Sequence, residues 1–94
     1  MSEVDKFKLG MVVTTSNFLA TFGEDATYIA SKLVDRHRTG DWGKLDAHDS
    51  KLNDDAVTLC DGRIFSAYTV QDIKVYVITE HDRSSTCVLL ASDY

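Results

Sequence analysis

The chain has no proline, only two cysteines and no long apolar run. Its longest apolar stretches, 75–78 and 87–91, are as short as single strands and cannot cross a bilayer. The first residues lack the basic and then apolar segments of a secretory signal, so we expect a cytoplasmic protein. In that compartment Cys60 and Cys87 are expected to be buried free thiols rather than a disulfide.

The charge and the length of the chain exclude several classes of protein. A net charge of −5 argues against a nucleic-acid binder, because clustered Lys and Arg supply most of that affinity. A basic partner is easier to accommodate. The 94 residues suffice for a single domain over 1–94 with one core. Hydrophobic residues at 44% and charged residues at 27% are typical of a globular chain rather than a disordered one.

The hydrophobic pattern predicts an α+β fold with one strand, three helices and then a three-stranded antiparallel meander. All four strands are expected to form a single sheet packed on the helices. Apolar and polar residues alternate over 7–13, which predicts the first strand. The last third is rich in β-branched and aromatic residues, and its short connections join antiparallel neighbours. We expect these strands at 63–70, 73–79 and 86–90, with the middle one central.

Capping residues locate the three predicted helices. The first lies between an N-cap within 14–17 and a stop at Gly23. The second follows Asp25 and ends near Arg38, and the third is capped by Asp46 and ends near Cys60. The inward face of the third helix is predicted to carry Leu52, Ala56, Leu59 and Cys60.

The only tryptophan, Trp42, lies between two glycines at the junction of the second and third helices. Glycine is usually kept where φ is positive or where backbones approach closely, so we expect one fixed shape for this tryptophan loop, residues 39–46. Trp42 is predicted to be structural, since its side chain can bury a large area. Asp41 and Trp42 are also candidate binding residues, because aromatic side chains often anchor interfaces.

Polar residues on the second and third helices need partners. Asp49 and Asn53 flank an apolar stripe, and we expect the backbone amides of 40–43 to bond them, since an unsatisfied buried polar group costs about 1–3 kcal/mol. His37 is expected at the edge of the core. A metal site on His48 and Asp49 is disfavoured, because adjacent helical residues point about 100° apart. The sequence predicts no catalytic residue, no metal and no cofactor.

The turn at 80–85 is the most polar in the chain. Glu80 and Arg83 flank it and are candidates for a fixed ion pair. We predict that Glu80, Asp82 and Arg83 belong to the binding surface and that this turn approaches the tryptophan loop. The alternative is a small hydrolase or nuclease whose site combines Asp41, Asp49, Glu80, Asp82 and Arg83.

Three motifs stand in order along the chain: Thr39-Gly40-Asp41-Trp42-Gly43-x-Leu45-Asp46, Arg63-Ile64-x-Ser66-Ala67-Tyr68 and Ile78-Thr79-Glu80-x-Asp82-Arg83-Ser84-x-Thr86. In these motifs the chain resembles, over about 7–94, a family of small uncharacterised proteins carried on bacterial plasmids, phages and integrated elements. No activity is established for that family, so no functional residue is carried over. His48 and His81 depart from the acidic or small residues expected at those positions.

The resemblance implies a small accessory protein of a mobile element. Such proteins often act by binding a host protein, and counter-defence is a common case. We therefore expect protein–protein binding to a host or element-encoded partner, as in an inhibitor of a CRISPR or restriction system. The sequence leaves the oligomeric state open between monomer and homodimer, and we expect neither direct nucleic-acid binding nor a membrane role.

Overall fold

The computed structural model describes residues 5–94, so part of the N-terminal segment used above to argue against a secretory signal lies outside it. The mixed α+β class is confirmed. Among the described residues, no helix is both long and apolar enough to span a membrane. The elements are β1 (Met11–Thr14), α1 (Ser16–Phe22), α2 (Ala26–Arg38), α3 (Ala47–Leu59), β2 (Ile64–Val70), β3 (Ile73–Thr79) and β4 (Ser85–Leu90), with single 3₁₀ turns at Gly23–Asp25 and Ala91–Asp93.

The four strands form one sheet in the order β1-β4-β3-β2. The meander β2-β3-β4 is antiparallel as predicted, and β3 lies inside the sheet. β1 completes the sheet by pairing with β4 in parallel, with Met11 opposite Ser85. The predicted extent of the first strand, 7–13, is wrong. Gly10 has a φ of 65°, and a Cβ there would overlap the Ser84 carbonyl, so regular pairing begins only at Met11.

The helices α1 and α2 cover one face of the sheet and form the main core. Alternate strand residues point to this face, as the period of two requires. A smaller apolar cluster, built on Trp42, Ala56 and Ile64, lies where α3 meets β2. The main core contains Phe18, Phe22, Ala26, Leu33 and Val34 from the helices, and Tyr68, Val75, Val77, Val88 and Leu90 from the strands.

The helix ends agree with most of the predicted caps. The Asp46 side chain accepts the backbone N–H of Asp49 at 2.8 Å, which confirms the N-cap of α3. Asp25 precedes α2, but its side chain makes no capping bond. α3 ends in a left-handed cap at Cys60, with φ 53°. Both cysteines are free, but the expectation that both are buried is wrong, because this surface cap exposes Cys60 and Cys87 is only partly buried.

Candidate binding surface

Trp42 lies in the small cluster, with only 7% of its surface exposed. Its Nε1–H donates to the Asp54 carboxylate at 3.0 Å. The indole stacks on Phe7, with ring centroids 6.1 Å apart, and meets the edge of His37 at 5.9 Å. The prediction that Trp42 is structural agrees with this burial.

The tryptophan loop also pairs with the outer side of β2. The Trp42 carbonyl accepts the N–H of Ala67 at 3.1 Å, and the N–H of Lys44 donates to the Ala67 carbonyl at 2.7 Å. Gly43, between them, has a φ of 76°, and a Cβ there would overlap the Ala67 carbonyl. The loop therefore has the fixed shape expected of it, and it covers the edge of β2.

Asn53 covers the next position of the same edge. Its Nδ2 donates to the Phe65 carbonyl at 2.6 Å, and its Oδ1 accepts the Phe65 N–H at 3.0 Å. The side-chain amide thus bonds Phe65 as a neighbouring strand would. The expectation that Asp49 and Asn53 bond the amides of 40–43 is wrong, because Asn53 bonds β2 instead and Asp49 is exposed.

The predicted inward face of α3 is also wrong in part. Leu52 and Leu59 are 54% and 72% exposed, whereas Asn53 and Ala56 are buried. The helix packs beside the edge of β2 rather than flat on the sheet, so only a narrow stripe of its surface faces inward. The partly buried Val57 completes that stripe.

Asp41 is bonded within its own neighbourhood. Its carboxylate accepts from Arg36 Nε at 2.6 Å and from the Gly43 N–H at 3.2 Å. The hydrogen bond from Arg36 lowers the pKa of Asp41. The Asp41 carbonyl accepts the Tyr68 hydroxyl at 2.6 Å, and burial raises the pKa of Tyr68 to about 12. The exposed Asp41 carboxylate is therefore already paired with a cation.

Arg83 joins the last turn to the end of α3. Its guanidinium donates to the carbonyls of Gly62 at 2.7 Å and Ala56 at 3.0 Å, and to two carbonyls within its own turn. A cation at the end of a helix is favourable, because the last carbonyls carry partial negative charge. The predicted ion pair of Arg83 with Glu80 is wrong: the Glu80 side chain pairs with Arg63 at 3.3 Å.

Asp82, the remaining predicted binding residue of the last turn, is bonded within that turn. The Asp82 carboxylate accepts the Ser84 N–H at 3.0 Å, and bonding to Ser84 lowers the pKa of Asp82. Phe7 links the turn to the tryptophan loop, since its ring lies 6.0 Å from the Arg83 guanidinium and stacks on Trp42. Within residues 5–94, no three His, Cys, Asp or Glu side chains form a group able to hold a metal ion.

A buried polar chain runs beneath the tryptophan loop. His37 is fully buried rather than at the edge of the core. It bonds the Ser66 hydroxyl through Nδ1 at 2.6 Å and the Thr79 hydroxyl through Nε2 at 2.9 Å. Thr79 bonds Thr86 at 2.7 Å, and the Thr86 hydroxyl donates to the Leu9 carbonyl at 2.8 Å.

The end of this chain determines where its protons lie. The single hydroxyl proton of Thr86 is used on Leu9, so Thr79 donates to Thr86 and must itself accept from Nε2–H of His37. Burial lowers the pKa of His37 to about 3, so the ring is neutral near pH 7 and its Nδ1 accepts from the Ser66 hydroxyl. The His37–Ser66 pair has the spacing of a base and a nucleophile, but both side chains have no exposed surface that a substrate could reach.

The opposite edge of the sheet, at β1, is open. The N–H groups of Met11 and Thr15 donate to the Ser84 and Val88 carbonyls of the β4 side. Backbone groups of successive strand residues point to opposite sides, so those of Val12 and Thr14 point away from β4. Within residues 5–94, no strand pairs with that outward side.

Apolar surface surrounds this open edge. Met11, Val12 and Val13 are 70%, 46% and 40% exposed. Beside them, a groove of about 510 Å³ runs between β1, α1 and α2. Sequence reasoning missed this surface, although the uncharged stretch 11–23 was a visible signal. The groove is lined by Asp5, Leu9, Val12, Thr14, Leu19, Thr27, Ala30, Ser31, Val34, Asp35 and Arg38.

The chain was compared with known proteins in three ways. No protein-family model, no curated protein and no solved structure matches it.

Proposed function

We propose that this chain acts by binding another protein, which adds an extended segment to the open edge of β1. The observation that carries the proposal is the outward backbone of Val12 and Thr14, which no strand within residues 5–94 pairs with and which lies beside exposed apolar side chains. Adding a strand to an exposed sheet edge is a recurring mode of recognition, in which backbone bonds supply affinity and alternate side chains supply specificity.

The tryptophan loop and the last turn support this proposal less directly. Trp42 is buried, and Arg83 is bonded to four carbonyls, so these two residues hold the fold. Asp41, Glu80 and Asp82 are each bonded to a neighbouring group. In the proposal these five residues maintain the fold, and β1 is the edge that binds.

The resemblance to proteins of plasmids, phages and integrated elements supports a narrower form of the proposal. In that form, the chain is a cytoplasmic accessory protein whose partner is a host or element-encoded protein. Inhibition of a CRISPR or restriction system is one such role. The net charge of −5 favours a protein partner over a nucleic acid.

The alternative of a small hydrolase or nuclease has weaker support. A carboxylate site needs side chains that converge on one reacting atom. Here Asp41 bonds Arg36, Glu80 bonds Arg63 and Asp82 bonds the backbone of its own turn.

A pair of proline variants tests the proposal. In Val12→Pro, the lost N–H is one that points away from β4, so the β1–β4 ladder stays intact while the open edge is blocked. Thr69→Pro is the matched control on β2. The N–H groups of Phe65 and Ala67, which lie four and two residues before Thr69, point outward, so that of Thr69 points outward as well. Tagged wild-type, V12P and T69P proteins are used side by side to capture proteins from a bacterial lysate.

We expect at least one protein to be retained by the wild type and by T69P but lost with V12P. Mass spectrometry identifies it, and purified binding partners then confirm the difference. Capture of the same proteins by all three baits contradicts a role for the β1 edge. Circular dichroism of both variants establishes that they are folded.

A further inference from the structure

The groove beside β1 has the volume and lining of a specificity pocket. Its 510 Å³ falls within the range of about 300–1,000 Å³ that is usual for ligand sites. Leu9, Leu19 and Val34 provide apolar walls from three different parts of the chain. The groove is therefore large enough for a big aliphatic or aromatic side chain.

The groove and the open edge are parts of one surface. The side chains of Val12 and Thr14 line the groove, and the backbone groups of the same two residues face the open edge. A strand that pairs with this edge directs alternate side chains to the groove side of the sheet. One of those side chains then lies over the groove mouth.

The charges at the rim favour a basic segment. Asp5 and Asp35 both pair with Arg38, but their side chains are about half exposed, at 49% and 51%, whereas Arg38 is 27% exposed. The two carboxylates thus outnumber the guanidinium and are more accessible than it. The stretch 11–23 adds no charge of its own.

The same charges argue against a second copy of this chain as the occupant. Two copies that pair through β1 bring together two molecules of net charge −5, and like charge opposes association. A basic partner has no such penalty.

We infer that the occupant of this surface is an extended basic segment of another protein that places one large apolar side chain in the groove. The inference rests on the proposed function and adds the chemistry of the partner. It predicts a sequence pattern of alternating apolar residues flanked by Lys or Arg.

The test begins with selection from a displayed library of random peptides, each about twelve residues long, on the full chain, with a parallel selection on V12P for comparison. We expect the enriched peptides to share the alternating apolar and basic pattern. No enrichment over V12P, an acidic consensus or apolar spacing typical of a helix overturns the inference.

One selected peptide is then synthesised, and its affinity is measured by fluorescence anisotropy. Ser31→Trp fills the groove from the exposed surface of α2 and is expected to weaken binding at least tenfold. Thr58→Trp, the same kind of change on the exposed face of α3, is the control and is expected to have no effect. The double variant D5N/D35N is expected to weaken binding about threefold at low salt and to match the wild type at high salt.

These variants separate the two proposals. If V12P abolishes peptide binding while S31W binds normally, the edge is used without the groove, and only the present inference is wrong. If V12P binds normally, the proposed function is wrong as well. Sedimentation of the chain alone is expected to show a monomer, and a dimer that V12P dissociates identifies a second copy as the occupant and overturns the inference.

Discussion

The two outer strands of the sheet differ in how their outward backbone groups are satisfied. On β2, the groups of Phe65 bond the Asn53 side chain, and those of Ala67 bond the tryptophan loop. On β1, the outward groups of Val12 and Thr14 have no partner strand among residues 5–94. The edge at β2 is covered at these two positions by segments far apart in the sequence, while within residues 5–94 the edge at β1 is left open.

The difference bears on function because open edges are a hazard that proteins usually control. Charged residues, proline, bulges or covering segments protect most edge strands from pairing with other chains. The stretch 11–23 has no charge and no proline, and β1 is an uninterrupted four-residue ladder. Apart from its short length, the β1 edge lacks these protections within residues 5–94, whereas the β2 edge is covered at Phe65 and Ala67. The β1 edge is therefore the one suited to pair with a partner.

The largest effect is expected from removing the cover of β2 at Trp42. Trp42→Ala deletes the centre of the small cluster and should lower the free energy of unfolding by about 3–5 kcal/mol, as large core truncations do. Trp42→Phe keeps a ring but loses the bond to Asp54, and should cost only about 1–2 kcal/mol. Urea denaturation measures both. Wild-type stability of W42A would mean that the cover of β2 does not stabilise the fold.

A smaller effect is expected at Asn53. Asn53→Leu keeps the size of the side chain but leaves the N–H and C=O of Phe65 without a partner, at an expected cost of about 2–3 kcal/mol. Thr58→Leu, on the exposed face of the same helix, is the control and should change stability by less than about 0.5 kcal/mol. Equal stability of the two variants in urea would show that the amide does not act as a strand at this edge.

Acid should lower the stability of the fold through His37, which lies beneath the tryptophan loop that covers β2. Its folded pKa of about 3 lies below the ordinary value of 6.5, so the unfolded chain binds more protons as the pH falls below 6.5. Stability should therefore drop by about 2 kcal/mol between pH 7 and pH 5, above the range in which carboxylates titrate. Denaturation curves at several pH values measure the slope. His37→Gln should flatten it, and an unchanged slope in that variant would assign the effect to other groups.

Much of the fold was predictable because its signals are local. The cap at Asp46, the end of α2 at Arg38 and the bounds of β3 follow from side chains within one turn or one strand. The start of β1 only after Gly10 could not be predicted, because it depends on the close approach of Ser84, which lies far along the chain. The orientation of α3 was missed for a similar reason: it packs on an edge, so the polar Asn53 faces inward.

The candidate site was harder to predict, because an edge is a property of strand order. The polarity of Asp82 and Arg83 predicted a binding surface, but their bonds to backbone groups account for that polarity. The buried chain through His37 carried a signal in the sequence. Ser66, Thr79 and Thr86 each lie two residues from an apolar residue on the inward face of the same strand: Ile64, Val77 and Val88 respectively. The open edge at β1 required knowing that β4, and not β2, is its neighbour.

The mildest test is hydrogen exchange, which compares the backbone amides of the two edges without any change to the chain. The amides of Val12 and Thr14 point away from β4, have no partner strand within residues 5–94 and should exchange rapidly. Those of Phe65 and Ala67 are bonded and should be protected. Val12→Lys should change stability by no more than about 0.5 kcal/mol, since it alters only a half-exposed edge side chain. NMR exchange rates measure the amides one by one, and Asn53→Leu should release Phe65 while sparing Ala67. Strong protection of Val12 and Thr14 would contradict an open edge, and its loss on dilution would show that a second copy covers it.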